Sequence, residues 1–493
     1  MTLTVDEVPS GYAVPGSYTQ VKAVNSGTTL AGMPLRVLLI GVLGTGNGKA
    51  LTVYPNITPA SATALAGAGS ATAQMVKAFA TDAPFTVADL IMVAGAQDAT
   101  AATWTVTPSG PATASGTVAL EVAGYRVPIT VSSGMTAAQI GAALAAAWTE
   151  TLTANTGCTV AVADDTGVVT LTAVDKGAWT SDIDVRASTR YGDGVAGVSL
   201  TISATAGTGT PDVTPALSAV SNTWYTDMAW IGADQANLSV LTTEANRRFR
   251  AMIKLDTHVY VAARATYGQA LSLAETQNSR FASILPASAA RYSPWEAAGS
   301  LCAVASAALN TDPARQLRTL SLTALAGRGP DDADLYDDAM RNVLLNNGMS
   351  TFTVDQDGTI RLERVVTTNQ ADDQGASTTA WRDIMVPKVA SRVRYELNTY
   401  FTSTYPRAKL ADDGSPLAGV AGANVVTPST LKASCIGQTK LWEQQGWVEN
   451  TTALSKQVVF ERDRTDRNRV NSRIPIQVIG SLIVIANSLE LQV

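Results

Sequence analysis

The chain has 493 residues, more than one hydrophobic core usually organises, so two to four domains are expected. Hydrophobic residues make up 46% and charged residues 15%, which excludes a disordered polymer, and a net charge of −6 speaks against nucleic acid or an anionic membrane as partner. Cys158, Cys302 and Cys435 are too far apart for a disulfide framework or a thiolate zinc site, and they fit a reducing compartment.

Residues 1–33 read as an extended arm. Pro9, Gly11, Pro15, Gly16, Gly27 and Gly32 punctuate it, and no helical period appears. Its start has no basic region followed by an apolar block, so no signal peptide is expected. No apolar run is long enough to predict a transmembrane helix. "LRVLLIG" (Leu35–Gly41) predicts a buried strand. "AGAGSATAQMVKAFATDAP" predicts a helix capped by Ser70, with Met75, Val76 and Phe79 on one face. "DLIMVAG" (Asp89–Gly95) predicts a second buried strand, giving a βαβ unit.

At Gln97 the texture changes. Residues 98–212 are rich in Thr, Ala, Gly, Val and Ser. They predict a hairpin turning at Ala123-Gly124, a helix over Thr136–Leu152, a hairpin turning at Asp165-Thr166-Gly167 and one further strand. From Asn222 the earlier pattern resumes: the strand "TWYTDMAWIG", the helix "NLSVLTTEANRRFRAM", the strand "HVYVAAR" and the helix "GQALSLAETQNS". The 98–212 segment therefore reads as a small α+β domain inserted into an α/β domain.

Ser293–Asn347 reads as helical, closing at Gly348. "STFTVDQDGTIRLERVVTT" predicts a hairpin with Asp357-Gly358 at its turn, and "VPKVASRVRYELNTYF" a helix. In "SLIVIANSLELQV" (Ser481–Val493), Leu489, Leu491 and Val493 alternate with polar residues, as in a strand with one apolar face. Leu482–Ala486 is apolar throughout, as in a strand covered on both faces.

Several motifs invite chemistry and fail. "LLIGVLGTGNGKAL" lacks the first phosphate-loop glycine, where Leu43 stands, and has Ala50 where magnesium needs Ser or Thr. "DQDGTIRLE" would need Thr353 as a calcium ligand, and "PDDADLYDDAM" reads as acids at a helix start. His258, the only histidine, sits in an apolar strand and reads as a hydrogen-bonded core or interface imidazole. No catalytic residue, metal or cofactor is assigned. Lys388, Arg392 and Arg394 give one helix a basic stripe on an acidic chain, suited to an acidic partner.

Taken in order, "VPGSY" (Val14–Tyr18), "RVLLIG", "GAGSATAQMVKAF", "HVYVAARATYGQALSLAETQNS", "SPWEAAGSLCAVASAALNTDPARQLRTLSL", "NNGMSTFTVDQDGTIRLERVVTT" and "NRVNSRIPIQVIGSLIVI" resemble the tail sheath proteins of contractile-tailed bacteriophages, in particular the Mu-like branch. The resemblance spans most of the chain except 98–212. It implies an extended arm (1–33), an α/β sheath core (34–97 and 213–292), an outward-facing inserted β-rich domain (98–212), a C-terminal α/β domain (293–480) and a donated C-terminal strand (481–493). It implies stacked hexameric rings around a tail tube, with baseplate and tail terminator as further partners. Assembly in the host cytoplasm and contraction that drives the tube through the host envelope are likewise implied. Intersubunit strand exchange is expected through Val14, Pro15, Gly16, Tyr18, Leu489, Leu491 and Val493, and tube contact through Lys388, Arg392 and Arg394. The alternatives are the sheath of a headless, bacteriocin-like contractile particle and an α/β enzyme acting on a small ligand.

Overall fold

The computed structural model describes residues 30–417 and 424–492. An unbroken apolar run, Val37–Val42, forms β1, and every residue of it is buried. The short edge strand β2 (Val53–Tyr54) and helix α1 (Pro59–Ala66) follow. Helix α2 (Ala71–Asp82) starts where the Ser70 side chain accepts the Ala73 amide, and Met75, Val76 and Phe79 face inward as their spacing predicts. Strand β3 (Ala88–Val93) then pairs parallel to β1.

The next elements leave this sheet. Strands β4 (Thr103–Pro108), β5 (Gly116–Val122) and β6 (Tyr125–Val131) precede helices α3 (Ala137–Ala146) and α4 (Glu150–Thr156). Strands β7 (Cys158–Val162), β8 (Val169–Ala173), β9 (Val185–Ala187) and β10 (Leu200–Thr205) complete two sheets, ordered β10-β4-β8-β7 and β6-β5-β9. Period-two alternation sets their faces. Trp104, Val106, Val169 and Leu171 are buried, while Thr103, Thr105, Thr170 and Thr172 line the opposite side. The single helix predicted over Thr136–Leu152 is two helices, because Thr149 caps a new one by accepting the Leu152 amide.

The chain then returns to the first sheet through α5 (Thr214–Ala219), β11 (Asp227–Trp230), α6 (Gln235–Phe249), β12 (His258–Arg264), α7 (Tyr267–Glu275) and β13 (Ala282–Ala287). The order is β13-β12-β11-β1-β3-β2, parallel except for β2. Parallel strands need crossover helices that cover the faces, which is why these strands read as apolar runs.

A domain boundary at Ser293 does not match the packing. Helix α8 (Pro294–Thr311) lies on β11 and β12 and against α2, and it is buried along most of its length. The same core cluster continues to Met385, through α9 (Asp338–Asn346) and the hairpin β14 (Thr351–Val354) and β15 (Ile360–Arg364). Of the predicted helical stretch Ser293–Asn347, the part between α8 and α9 is mostly irregular. Asp331 there forms ion pairs with Arg186 and Arg291, while Asp337 caps α9 by accepting the Met340 amide, an acid at a helix start as the sequence predicts.

A second, smaller cluster holds Val389, Val393, Trp442, Trp447 and Val448. It forms where α10 (Met385–Thr404) meets the chain beyond it. That chain comprises the short pair β16 (Lys409–Leu410) and β17 (Val425–Val426), α11 (Pro428–Gln444), β18 (Val448–Glu449) and α12 (Thr451–Leu454). Strands β19 (Val459–Arg462), β20 (Val470–Arg473) and β21 (Gln477–Val478) form two small antiparallel pairs, β19-β20 and β18-β21.

The 98–212 segment builds its own sheets, yet it is fastened to the core. Arg264 at the end of β12 donates to Asp184, and Arg328 donates to the Ala123 carbonyl in the β5–β6 turn while pairing with Glu296. Gln74 bridges the two bodies: its amide nitrogen donates to the carbonyls of Ala154 and Asn155, and its oxygen accepts from the Trp295 indole.

The α2–α8 contact leaves no room for a side chain at Gly299, where a Cβ would lie 2.5 Å from the Met75 carbonyl oxygen. Gly299→Ala should lower stability by about 1–3 kcal/mol, as overpacking of a tight helix pair does. A fall in the thermal midpoint checks this, and an unchanged midpoint would show that the two helices can separate at no cost.

Candidate assembly interface

Helix α10 links the two core clusters. Lys388, 9% exposed, extends its ammonium to within 2.5 Å of Asp227 Oδ1 at the first residue of β11. The same oxygen accepts from the Tyr260 hydroxyl at 2.9 Å, and the Thr226 carbonyl accepts from Lys388 at 3.3 Å. A charge this deep is tolerated only with such partners. One turn and more along the helix, Arg394 pairs with Asp256 at 2.8 Å, donates to the Phe249 carbonyl and lies over the Phe249 ring. Burial raises the Asp256 carboxyl above its usual range, and Arg394 pulls it back. Arg392 pairs with Glu396 at 3.0 Å and covers the Trp447 ring.

These three cations therefore do not form the free basic stripe that the sequence suggests. Each is neutralised by an acid of its own chain, and 161 residues separate Lys388 from Asp227 in sequence, beyond any local pattern. Glu396 also accepts the Ala31 amide at 2.7 Å, so the arm joins the described chain beside α10. Leu30 packs on the smaller core cluster there. Burial raises the Glu396 carboxyl, opposed chiefly by Arg392.

Among the described residues, the segment after β21 has no partner strand. Gln316 and Arg318 donate to the carbonyls of Leu482 and Ile483, and beyond them no hydrogen-bonded strand forms among the described residues. Leu482, Val484, Ile485, Leu489 and Leu491 are exposed, Leu489 by 86% and Leu491 by 82%. The strand expected over 481–493 does not form over residues 481–492, because no sheet edge among the described residues pairs with it. Val14, Pro15, Gly16, Tyr18 and Val493 lie outside the described residues.

His258 and the three cysteines, residue types that often carry chemistry, are buried in the fold. His258 meets the Ser283 hydroxyl at 3.0 Å, and burial, aided by the Lys388 charge, pushes it well below the usual imidazole range. Burial raises all three thiols, Cys158 to about 12 and Cys435 to about 11, and Cys302 well above its usual value, which removes a nucleophilic thiolate. The "DQDG" motif is the β14–β15 turn, with Gly358 at φ +81°. Among the described residues no group of three His, Cys, Asp or Glu side chains is placed to hold a metal, and no helix is long and apolar enough to cross a membrane. A cleft of about 440 Å³ beside α10 is lined by Trp224, Lys254, Asp256, Ser391, Arg394 and Tyr395.

Two family models match this chain. The phage tail sheath protein central domain covers residues 206–368, and the phage tail sheath C-terminal domain covers residues 376–492. Together they span more than half of the sequence, and the chain belongs to the phage tail sheath family, a family of structural virion proteins rather than enzymes. It is similar to the Mu-like prophage FluMu tail sheath protein of Haemophilus influenzae, with 27% identity over 496 residues and 99% of each chain covered. Among solved structures, a sheath tail protein from Desulfitobacterium hafniense is 14% identical, with 95% of this chain and 97% of that one aligned at a TM-score of 0.47. One from Listeria innocua is 12% identical, covering 92% and 94% at 0.48. A chain of the anti-feeding prophage baseplate is 7% identical, covering 98% and 100% at 0.49.

Lys388→Ala should destabilise the subunit by about 3–5 kcal/mol, because Asp227 would keep a buried charge without its counter-ion. Lys388→Met combined with Asp227→Asn should cost less than the two single changes summed. Thermal melts of the four proteins test the coupling, and additive losses would contradict it.

Proposed function

We propose that this protein is the contractile sheath subunit of a phage tail, polymerising as stacked hexameric rings around the tail tube. The row of apolar side chains at Leu482, Val484, Ile485, Leu489 and Leu491, exposed in the single chain, carries the reading. Such a segment can add to a sheet edge on a neighbouring subunit, where backbone hydrogen bonds supply affinity and alternate side chains supply fit. Each bond nets about 0.5–1.5 kcal/mol and each buried Leu or Val about 1.5–3 kcal/mol. The arm, with Val14, Pro15, Gly16 and Tyr18, is assigned to the same intersubunit mesh, and Val493 ends the donated strand. Contraction is then a downhill change between two packings of joined subunits, with no nucleotide consumed.

The other partners are the inner tail tube, the baseplate and a terminator, and assembly precedes release from the host cytoplasm. Residues 98–212 face outward in this reading. Helix α10 faces the tube, and Lys388, Arg392 and Arg394 serve it by fixing the helix to its own subunit rather than by offering free charge. The ion pairs of Lys388 with Asp227 and of Arg394 with Asp256, and the Arg392 guanidinium over the Trp447 ring, support that division of roles.

Truncation after Asn487 should leave circular dichroism and the melting midpoint near wild type, since Leu489 and Leu491 are largely exposed. The truncated protein should form no tubes under negative-stain microscopy. Tubes of normal length would remove the strand from the intersubunit link, and an unfolded monomer would place it in the subunit's own core.

A further inference from the structure

Strand β1 lies at the point where the order of the parallel sheet reverses. β3, the next parallel strand, is on one side, and β11, with all later ones, is on the other. In open parallel sheets the crevice at the carboxyl ends of the strands beside such a point is where ligands bind. The glycine-rich loop Leu43–Gly48 leaves β1 at that place, and α2 begins beside it with its positive end toward the crevice. The loop is not free to wrap a phosphate. Asn47 and Gly48 donate their amides to the Ala64 and Leu65 carbonyls of α1.

The position is filled from within the chain. Asp175, in the turn after β8 of the inserted segment, is 8% exposed and reaches across 104 residues to accept the Ala71 amide at 2.7 Å. Its other carboxylate oxygen has no hydrogen-bond partner. That oxygen lies 3.0 Å from where a Cβ on Gly44 would stand, so a side chain there would press on the carboxylate. Asp175 takes part in no ion pair among the described residues. The amide and dipole of the α2 N-terminus are what balance it. Burial raises its carboxyl to about 6 and the Ala71 amide pulls it down, so at pH 7.5 it is an anion.

We propose that the N-terminus of α2 and the Gly44 turn form a site for a small oxyanion, carboxylate in shape, which the protein occupies permanently with the Asp175 side chain of its inserted segment. The site thereby serves as an anchor between insert and core and is closed to diffusible anions. Two other contacts at the same seam, Gln74 to the Ala154 and Asn155 carbonyls and Lys77 to the Asn155 side chain, hold α4 against α2, and neither supplies charge to Asp175.

The test is chemical rescue in the full chain at pH 7.5. Asp175→Ala should lower the thermal midpoint and raise hydrogen exchange at the Ala71 amide. Sodium formate at tens of millimolar should restore both more than sodium chloride at equal ionic strength. The wild type should gain nothing from formate beyond the chloride effect. Equal responses of the variant to formate and chloride, or a variant that melts like wild type, would overturn the proposal. Should Asp175→Ala fail to fold, Asp175→Asn keeps the shape without the charge. A lower midpoint and faster Ala71 exchange in that variant support the anchor, and wild-type values for both overturn it.

Discussion

Backbone amides and carbonyls that leave water must find partners, and apolar side chains gain by leaving it. Among the described residues, the segment from Leu482 to Leu491 meets neither condition: it pairs with no strand and exposes its leucines. The central sheet satisfies both rules, while Phe85, Tyr191 and Met252 are single exposed apolar side chains outside it. Its central strands are buried on two faces, and helices such as α2 and α7 are capped at their starts, while α5, α10 and α12 carry no side-chain cap. In the proposed reading, the partner of that extended segment is a sheet edge on a neighbouring subunit.

The α/β sheet supports this arrangement by docking different bodies at its two ends. At the amino ends of β11 and β12, Asp227 and Asp256 receive Lys388 and Arg394, which seat α10 and the smaller core cluster. At the carboxyl ends, Arg264 receives Asp184 and the α2 N-terminus receives Asp175, which seat the inserted segment. Polar contacts fix geometry at both ends and apolar packing supplies the bulk of the energy between them. The arm and the C-terminal segment both join the described chain on the side of α10, at Glu396 and at Gln316. Strands donated from there would move with α10, while the inserted segment is carried at the opposite end of the sheet.

Local pattern made much of the fold readable. Apolar runs marked β1, β3, β11 and β12, the Ser70 cap marked α2, and Ala123-Gly124 and Asp357-Gly358 marked two hairpins. Strand β13 escaped notice because Pro286 interrupts a short run. Proline is tolerated there because β13 is the sheet's edge. The interface was less legible. Lys388, Arg392 and Arg394 looked like a solvent-facing stripe because their acids lie on β11, before β12 and on the next helical turn. Two of those three partners are set by tertiary packing alone. Asp175 carried no signal at all, since its partner amide is a backbone group of α2. The apolar alternation near Leu489 was visible because a strand's period is carried by the local sequence, whatever pairs with it.

Amide hydrogen exchange over residues 481–492, measured on the monomer and again on assembled tubes, tests this account most directly. Fast exchange in the monomer and strong protection at alternate amides in the tube is the predicted result. Equally fast exchange in both states would contradict it, because a donated strand cannot pair with a neighbouring sheet and leave its amides open to water.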